Sequence, residues 1–430
     1  MSLREKLLPD YDRGLDLEGF SGDRLADRLS AIAEIGLTTE AGSCRPGYSQ
    51  AERQAKDLVC DWMREAGLAV RRDAAGNCFG RLAGRNDHLS VILCGSHIDT
   101  VPNGGHFDGV LGVLLALETV EMWKATGFEP ERPYEIVIFS EEEGSSFNVG
   151  CVGSSAVAGA PLTGQLGRVS DHEGRSFASA VEEVGLSLAD FPAARRDLSQ
   201  IAAFVEVHIE QGLVLERHGL PVGIVNGICG LAALDVTVTG QAGHAGTTPM
   251  NYRRDALVAA SRIVTAISEL PGQISETAVA TVGQLKVSPN GSNVVPGKVR
   301  FSVDIRDVAN EPLERLVTRI VEAAAGIAAA SGLGLSWSRT FSQPAIAVDP
   351  RLKTLQAEAM RALNLAAFEM PSGAGHDAMI LGAHVPMAMF FVRSKDGISH
   401  NPLEFSSLND CAIAARALSR FLARLVSNTD

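Results

Sequence analysis

The sequence predicts an α/β protein with a mixed, mostly parallel sheet that is interrupted by an inserted α+β domain. Short apolar runs alternate with amphipathic helical stretches in both outer parts of the chain, as in a sheet covered by helices. Between about residues 226 and 340 the pattern changes to alternating strands and two long helices. The chain has 430 residues, more than one hydrophobic core comfortably supports, so two domains are expected.

The predicted boundaries place the first part of the outer domain at 1–225, the insert at 226–340 and the second part of the outer domain at 341–430. Apolar spacing in the first part predicts, in order, helices at 23–33 and 51–66, strands at 68–72, 78–82 and 89–94, a helix ending near 123, and strands at 134–140 and 204–212. The insert is expected to contain strands at 234–239, 278–287 and 299–307 and helices at 255–270 and 311–331. The last part is expected to contain a helix at 350–363, a glycine-rich turn at 372–375, a strand at 387–392 and a helix at 408–425. Residues 161–200 are polar and are expected to form a helical excursion.

The composition excludes several classes of protein. A formal charge of -13 argues against a nucleic-acid-binding surface, which would be basic. No apolar run reaches the roughly 18 residues that span a bilayer, so no membrane segment is expected. The seven cysteines are odd in number and lack C-x-x-C spacing, which favours reduced thiols. With no signal-like start, we expect a cytoplasmic protein.

The stretch from Gly95 to Ala116 organises the chain. It follows an apolar run short enough to be a buried strand, passes through a Pro/Gly-rich loop and re-emerges as an apolar helix. The loop offers His97, Asp99 and Asp108, and loops at the carboxyl ends of strands in α/β sheets are where ligands gather. Imidazole and carboxylate together suit a first-row metal, most often zinc. The spacing of His97 and Asp99 allows a ligand and an acidic partner that orients its ring.

Other candidate ligands also follow apolar strands. The run Glu141–Glu143 comes directly after strand 134–140, and it is equally a solvated acidic turn or a set of carboxylates neutralised by cations. A lone strand histidine such as His208 is more often structural than a ligand. His400 follows strand 387–392. Because the ends of parallel strands converge on one sheet edge, these side chains together suffice for two metals bridged by an aspartate, with a spare glutamate as general base.

Eight ordered motifs resemble the M20 family of dinuclear metallohydrolases. Within that family, the chain looks like the hydantoinase/carbamoylase-type branch, which holds N-carbamoyl-L-amino-acid hydrolases, β-ureidopropionases and allantoate amidohydrolases. The motifs lie between about residues 20 and 425, at 95–109, 142–147, 208–212, 243–250, 293–297, 304–307, 372–378 and 397–404. The resemblance implies a di-metal exopeptidase-like catalytic domain and a ferredoxin-like insert that acts as lid and dimerisation domain.

The resemblance also implies a role for each matching residue of the outer domain. His97, Asp108 and His208 would bind one divalent ion, and Asp108, Glu143 and His400 would bind a second, with Asp108 bridging. Zinc is the first candidate, and manganese, cobalt or nickel are the alternatives. Glu142 would be the general base, Asp99 would support His97, and Glu141 would have no direct role.

Four further positions are implied to contact the substrate, and a fifth to stabilise its transition state. His244 would donate to the developing oxyanion from the partner subunit, although from the residues alone it is equally a polar-loop histidine. Arg306 would bind the substrate carboxylate in the bidentate geometry of a guanidinium, beside Asn293. Without the resemblance, Arg306 would be interpreted as a surface arginine of a strand. Gln211 and the backbone of Gly375 are weaker candidates for holding the ureido end.

The function implied is hydrolysis of the carbamoyl (ureido) C–N bond of an N-carbamoyl-L-amino acid or related ureido acid, with release of ammonia and carbon dioxide by a homodimer. The alternatives are allantoate amidohydrolase, an aminoacylase or dipeptidase that cuts an ordinary amide, and a non-catalytic binding protein. Three departures from the family pattern concern the substrate rather than the chemistry: Ser146, Leu231–Ala233 and Arg393.

Overall fold

The computed structural model describes residues 2–428. The α-helices are α1 Leu3–Leu7, α2 Gly22–Ala33, α3 Gln50–Glu65, α4 Val110–Thr126, α5 Val152–Val157, α6 Thr163–Leu166, α7 Phe177–Glu183, α8 Val214–His218, α9 Ala256–Glu269, α10 Asn310–Ala330, α11 Pro350–Arg361, α12 Asp377–Gly382 and α13 Leu408–Ser427. The strands are β1 Ala69–Arg72, β2 Cys78–Leu82, β3 Val91–His97, β4 Tyr134–Phe139, β5 Ile201–Ile209, β6 Val222–Ile228, β7 Gly230–Thr239, β8 Gly243–His244, β9 Val279–Thr281, β10 Leu285–Ser288, β11 Val294–Val295, β12 Lys298–Asp307, β13 Gly334–Gln343, β14 Ile346–Ala347, β15 Glu369–Ser372 and β16 Met387–Val392.

The described chain divides into two compact units. The first comprises residues 2–226, Val348–Met370 and 376–428, and the second comprises Gly227–Ala347 and Pro371–Gly375. The domain boundaries proposed from the sequence stay a prediction, as does the lid role of the insert.

The first unit is built on a sheet of order β1-β2-β4-β3-β5-β16-β6, with β15 also pairing with β6. The mixed α/β class is confirmed. "Mostly parallel" is too strong, however, because the four central strands β4-β3-β5-β16 are parallel but several pairs outside them are antiparallel. The β1-β2, β2-β4 and β16-β6 pairs are antiparallel. The centre is parallel because helical crossovers connect its strands, as between β3 and β4 through α4.

Helix α4 explains how the central loop is held. Its first thirteen positions are mostly apolar and almost all buried, and it packs against β3, β5 and α13. A helix enclosed in this way cannot shift without opening the core, so the loop that precedes it, residues 98–109, has a fixed end.

The second unit holds an antiparallel sheet of order β10-β12-β7-β13, with β9 also paired to β12. Alternate residues of β7 and β12 are buried under α9 and α10, which gives the sheet its own core. The single strand expected at 278–287 is wrong in detail, because β9 and β10 pair with β12 in registers that differ by one residue. The break contains Gly283 and is a bulge-like interruption.

Residues 161–200, expected to be a polar helical excursion, contribute several buried apolar side chains to a hydrophobic cluster. Short helices α6 and α7 carry side chains into a separate aromatic cluster, in which Phe177 packs edge-on against Tyr48 and Phe147 with ring centroids 5.2 and 5.0 Å away. This cluster anchors the excursion to the first unit. Among the described residues, no helix combines the length and apolar character that crossing a membrane would need.

Candidate metal centre

The candidate centre lies at the carboxyl ends of the four parallel strands. His97 is the last residue of β3, and Asp108 is in the loop that leads from it into α4. Glu142 and Glu143 follow the end of β4, while His208 is the penultimate residue of β5. The remaining member, His400, follows β16. Sheet order brings these ends side by side, which is why residues far apart in sequence meet.

His97, Asp108 and His208 form a first buried group whose potential ligand atoms all lie within 4.8 Å of one another. His208 Nε2 is 2.9 Å and His97 Nε2 is 3.8 Å from the same oxygen, Asp108 Oδ1. Two imidazoles and a carboxylate oxygen that face a common point are the donor set of a zinc-type site with an open position.

Asp108, Glu143 and His400 form a second group of the same size. His400 Nε2 lies 3.2 Å from Asp108 Oδ2 and 3.4 Å from Glu143 Oε2. The two oxygens of Asp108 are therefore divided between the two groups. This is the arrangement that a bridging carboxylate requires.

Main-chain carbonyls fix the orientation of the two buried histidines. His208 Nδ1 is 2.9 Å from the carbonyl oxygen of Ile209, and His97 Nδ1 is 3.0 Å from that of Asp99. A carbonyl can only accept, so Nδ1 carries the hydrogen in both rings and Nε2 is left as the ligand atom. The Asp99 carboxylate is 3.5 Å from His97 Nδ1 and accepts the N–H of Glu143 at 3.1 Å. Asp99 thus contacts His97 mainly through its backbone.

The donor chemistry fits metal ions. His97 Nε2 and Glu143 Oε1 are buried without a hydrogen-bond partner. Burial raises the pKa of the Glu143 carboxyl to about 7, and the nearby Asp108 charge adds to the rise. A hydrogen bond to Asp108 raises the pKa of His400 to about 9. Divalent cations would satisfy the orphaned atoms and offset the repulsion between the carboxylates.

Glu142 lies next to His97 of the first group but belongs to neither group. Its Oε2 lies 3.7 Å from His97 Nε2, and the Cys151 thiol approaches its other oxygen at 3.8 Å. Burial raises the pKa of Glu142 well above its usual value. A carboxylate held next to the ligand atoms and kept off them is placed to accept a proton. Glu141 is fully buried and lies outside both groups.

Sequence reasoning missed the side chains that hold Asp108. Glu404 Oε1 accepts the backbone N–H groups of Phe107 and Asp108 at 2.9 and 3.1 Å, and Ser399 Oγ donates to Asp108 Oδ2 at 3.1 Å. Gln211, expected to bind substrate, donates its amide to Asp108 Oδ2 at 2.9 Å. Ser399 and Glu404 lie in the same motif as His400, and their place in this motif could have identified them as part of the site.

Glu206 was also missed, and it lies two residues before His208 on the same face of β5. It is fully buried, accepts from Ser96 Oγ at 2.6 Å and from the backbone of Ala378 at 2.9 Å. A glutamate two positions before a histidine, in an otherwise apolar strand, was the signal in the sequence.

The four other predicted positions lie in the second unit. His244 is exposed, and its Nδ1 accepts from Gly246 and Thr247, so its Nε2–H is available as a donor. His244 lies in β8, which pairs with β11. Asn293 is exposed and directly precedes β11.

Arg306 is half-buried and held from two sides. Its Nε donates to Asp304 at 2.9 Å, and its Nη1 donates to the Gly373 carbonyl at 2.6 Å. Gly375 is exposed and has open space around it. The roles of these four residues stay predictions.

Comparison with known proteins places this geometry in a family. Residues 93–424 match the model of peptidase family M20/M25/M40. The chain is 43% identical over 397 residues to an N-carbamoyl-L-amino acid amidohydrolase of Geobacillus stearothermophilus, covering 92% of this chain and 97% of the relative. It is 37% identical over 401 residues to an allantoate amidohydrolase of Bacillus subtilis, covering 93% and 97%.

Among solved structures, the chain is similar to an amidase of the hydantoinase/carbamoylase family from Burkholderia multivorans. The TM-score is 0.88 at 35% sequence identity, with 95% of this chain and 98% of the other covered.

Proposed function

The chain belongs to peptidase family M20/M25/M40, and from that premise we propose that it hydrolyses the carbamoyl C–N bond of an N-carbamoyl-L-amino acid or a related ureido acid. The observation that carries the proposal is the division of Asp108 between two ligand groups, with the uncommitted carboxylate of Glu142 alongside. The named relatives indicate the substrate class, because one is an amidohydrolase of N-carbamoyl-L-amino acids and the other of allantoate.

The proposed cofactors are two divalent ions, zinc or else manganese, cobalt or nickel, held by the two groups. Bound there, they would polarise the substrate carbonyl and lower the pKa of a water. Glu142 then takes a proton from the attacking water and delivers it to the leaving nitrogen. Water adds across the C–N bond, ammonia leaves, and the remaining carbamate loses carbon dioxide to give the free amino acid.

We assign substrate recognition to the second unit. The Nε2–H of His244 would donate to the carbonyl oxygen as negative charge develops there. Arg306, held by Asp304 and the Gly373 carbonyl, would bind the substrate carboxylate beside Asn293. The backbone of Gly375 would hold the ureido end, whereas the contact between Gln211 and Asp108 favours a positioning role for that side chain.

A homodimer formed through the second unit is part of the proposal, with His244 serving the partner's site and the unit acting as a lid. Its edge strand β13 is exposed and presents Trp337 and Phe341, which are 47% and 50% exposed. Light scattering should give the mass of a dimer for the wild type and of a monomer for Trp337→Glu; a wild-type monomer would refute the dimer.

An ammonia-release assay with the metal-loaded protein tests the activity. The substrates are N-carbamoyl-L- and D-amino acids, 3-ureidopropionate and allantoate. Fastest release from N-carbamoyl-L-amino acids supports the proposal, and fastest release from allantoate favours the second candidate, which the Bacillus subtilis relative suggests. Cleavage of N-acyl amino acids or dipeptides without ammonia release would indicate an aminoacylase or dipeptidase instead. A cytoplasmic location remains a prediction from the free cysteines.

A further inference from the structure

A charged pair lies in the buried stripe of helix α3. Glu52 and Lys56 are one turn apart, each side chain is only 4% exposed, and Lys56 Nζ is 2.5 Å from Glu52 Oε1. Their helical neighbours on this stripe, Ala55, Val59 and Met63, are completely buried apolar residues. Replacing a buried ion pair by apolar groups is often neutral or stabilising, so stability alone does not explain the pair.

The pair is connected to the turn that carries the acidic residues of the metal centre. Lys56 Nζ lies 2.6 Å from Ser140 Oγ and 3.4 Å from the carbonyl oxygen of Gly76, so three oxygens surround the ammonium group. Glu52 in turn accepts the N–H of Tyr48 at 2.7 Å. Ser140 is the residue between β4 and the run Glu141–Glu143.

That turn needs support. Glu141 has a left-handed backbone with φ 52°, and both of its buried carboxylate oxygens lack a hydrogen-bond partner. It presses against the backbone at Gly47, where an added Cβ would lie 1.8 Å from Glu141 Oε2. A strained turn that carries three carboxylates persists only where its surroundings hold it. Lys56 supplies a cation and a hydrogen bond at the start of the turn.

We infer that Lys56, paired with Glu52, is a positioning residue that holds Ser140 and through it aims Glu142 and Glu143. The inference deepens the proposed function and rests on it for the activity readout. It assigns Lys56 no contact with substrate. Partners that hydrogen-bond a metal ligand directly change metal affinity or activity by about 10- to 100-fold when they are removed. Lys56 acts through Ser140, one residue further from the ligands, so we expect the lower end of that range.

The test is the paired substitution Glu52→Gln with Lys56→Met, which removes both charges and keeps an acceptor for Tyr48. We expect kcat to fall about 10-fold with little change in KM. Calorimetric titration of Zn²⁺ onto the metal-free protein should show weaker binding at the group that contains Glu143. Ser140→Ala, which removes the hydrogen bond and leaves the ion pair, should shift both readouts in the same direction and guards against a folding failure of the paired variant.

Arg28→Met is the matched control. Arg28 forms another buried ion pair, 2.8 Å from Glu118 between α2 and α4, with side chains 9% and 0% exposed. The Arg28→Met variant should have a lower thermal stability than the wild type but the same kcat and the same affinity for both zinc ions. The inference is overturned if the paired variant and Ser140→Ala both stay within about twofold of wild type in both readouts, or if Arg28→Met loses as much kcat. If the wild type releases no ammonia, the proposed function fails, and zinc binding still tests the inference.

Discussion

Replacing Glu142 by glutamine tests the assignment of the base. The amide keeps the size of the side chain and removes its basicity. Glu142 Oε2 lies 3.7 Å from His97 Nε2, within reach of a water at the ligand atoms, while Asp108 and Glu143 are already committed to the two groups. Because neither carboxylate can replace Glu142 as the base, the decrease in kcat should lie in the upper range for removal of a general base, about 10³- to 10⁴-fold. This corresponds to about 4 to 5.5 kcal/mol of transition-state stabilisation.

The assay is ammonia release under metal saturation, with metal content measured by mass spectrometry on the same samples. Glu143→Gln is the comparison, because that neighbour belongs to the second group and its loss should lower metal content as well as activity. Glu142→Gln should keep the wild-type metal content. Retained turnover, or metal loss equal to that of Glu143→Gln, would refute the separation of base from ligand.

Other predictions address the bridge, the loop and the excursion. Asp108→Asn should remove most of both metals, since its two oxygens serve both groups; one fully retained ion in mass spectrometry would contradict a bridge. Gly105→Ala should lower activity, because its Cβ would lie 2.0 Å from the carboxylate that accepts the N–H of Asp108, whereas Gly164→Ala, with open space around it, should be silent in the same assay. Phe177→Ala should lower the free energy of unfolding by about 3–5 kcal/mol in denaturant titration, and a loss below about 1 kcal/mol would contradict its core role.

The gathering of the candidate ligands could be foreseen because it depends on two regular features. Apolar runs mark buried strands, and parallel strands end at one edge, so His97, Glu143, His208 and His400 were expected together. The structure brings them together around Asp108. A hydrogen bond such as that from Asp108 to Glu404, 296 positions away, follows no period and could not be foreseen in this way.

One strand of the second unit was missed although its sequence carries a signal. In β13, Leu335, Trp337 and Phe341 alternate with polar residues, and in the structure it is an exposed edge strand paired with β7. The Glu52–Lys56 pair was overlooked although the amphipathic pattern of its helix was recognised. The signal in the sequence was two charged residues inside an otherwise apolar stripe. Apolar packing does not explain charged residues at such positions.

The departures from the family pattern differ in what they indicate about substrate choice. Arg393 forms a bidentate ion pair with Asp410, and Ala232 is fully buried in the core of the second unit, so a structural role explains each of them. Leu231 instead lies directly across the sheet from Arg306, and directly opposed side chains on one sheet face are about 5 Å apart. If Arg306 binds the substrate carboxylate as proposed, we expect this apolar neighbour to favour substrates with apolar side chains.

Leu231→Gln should therefore lower kcat/KM for N-carbamoyl-L-leucine relative to 3-ureidopropionate by about 10-fold or more, the scale of one apolar contact in a pocket. Leu231→Met, which keeps an apolar chain of similar volume, should leave that ratio close to wild type. Measuring the ratio in one mixture cancels differences in active-enzyme concentration. If glutamine leaves the ratio unchanged, Leu231 has no part in selecting the side chain, and selectivity must come from other residues.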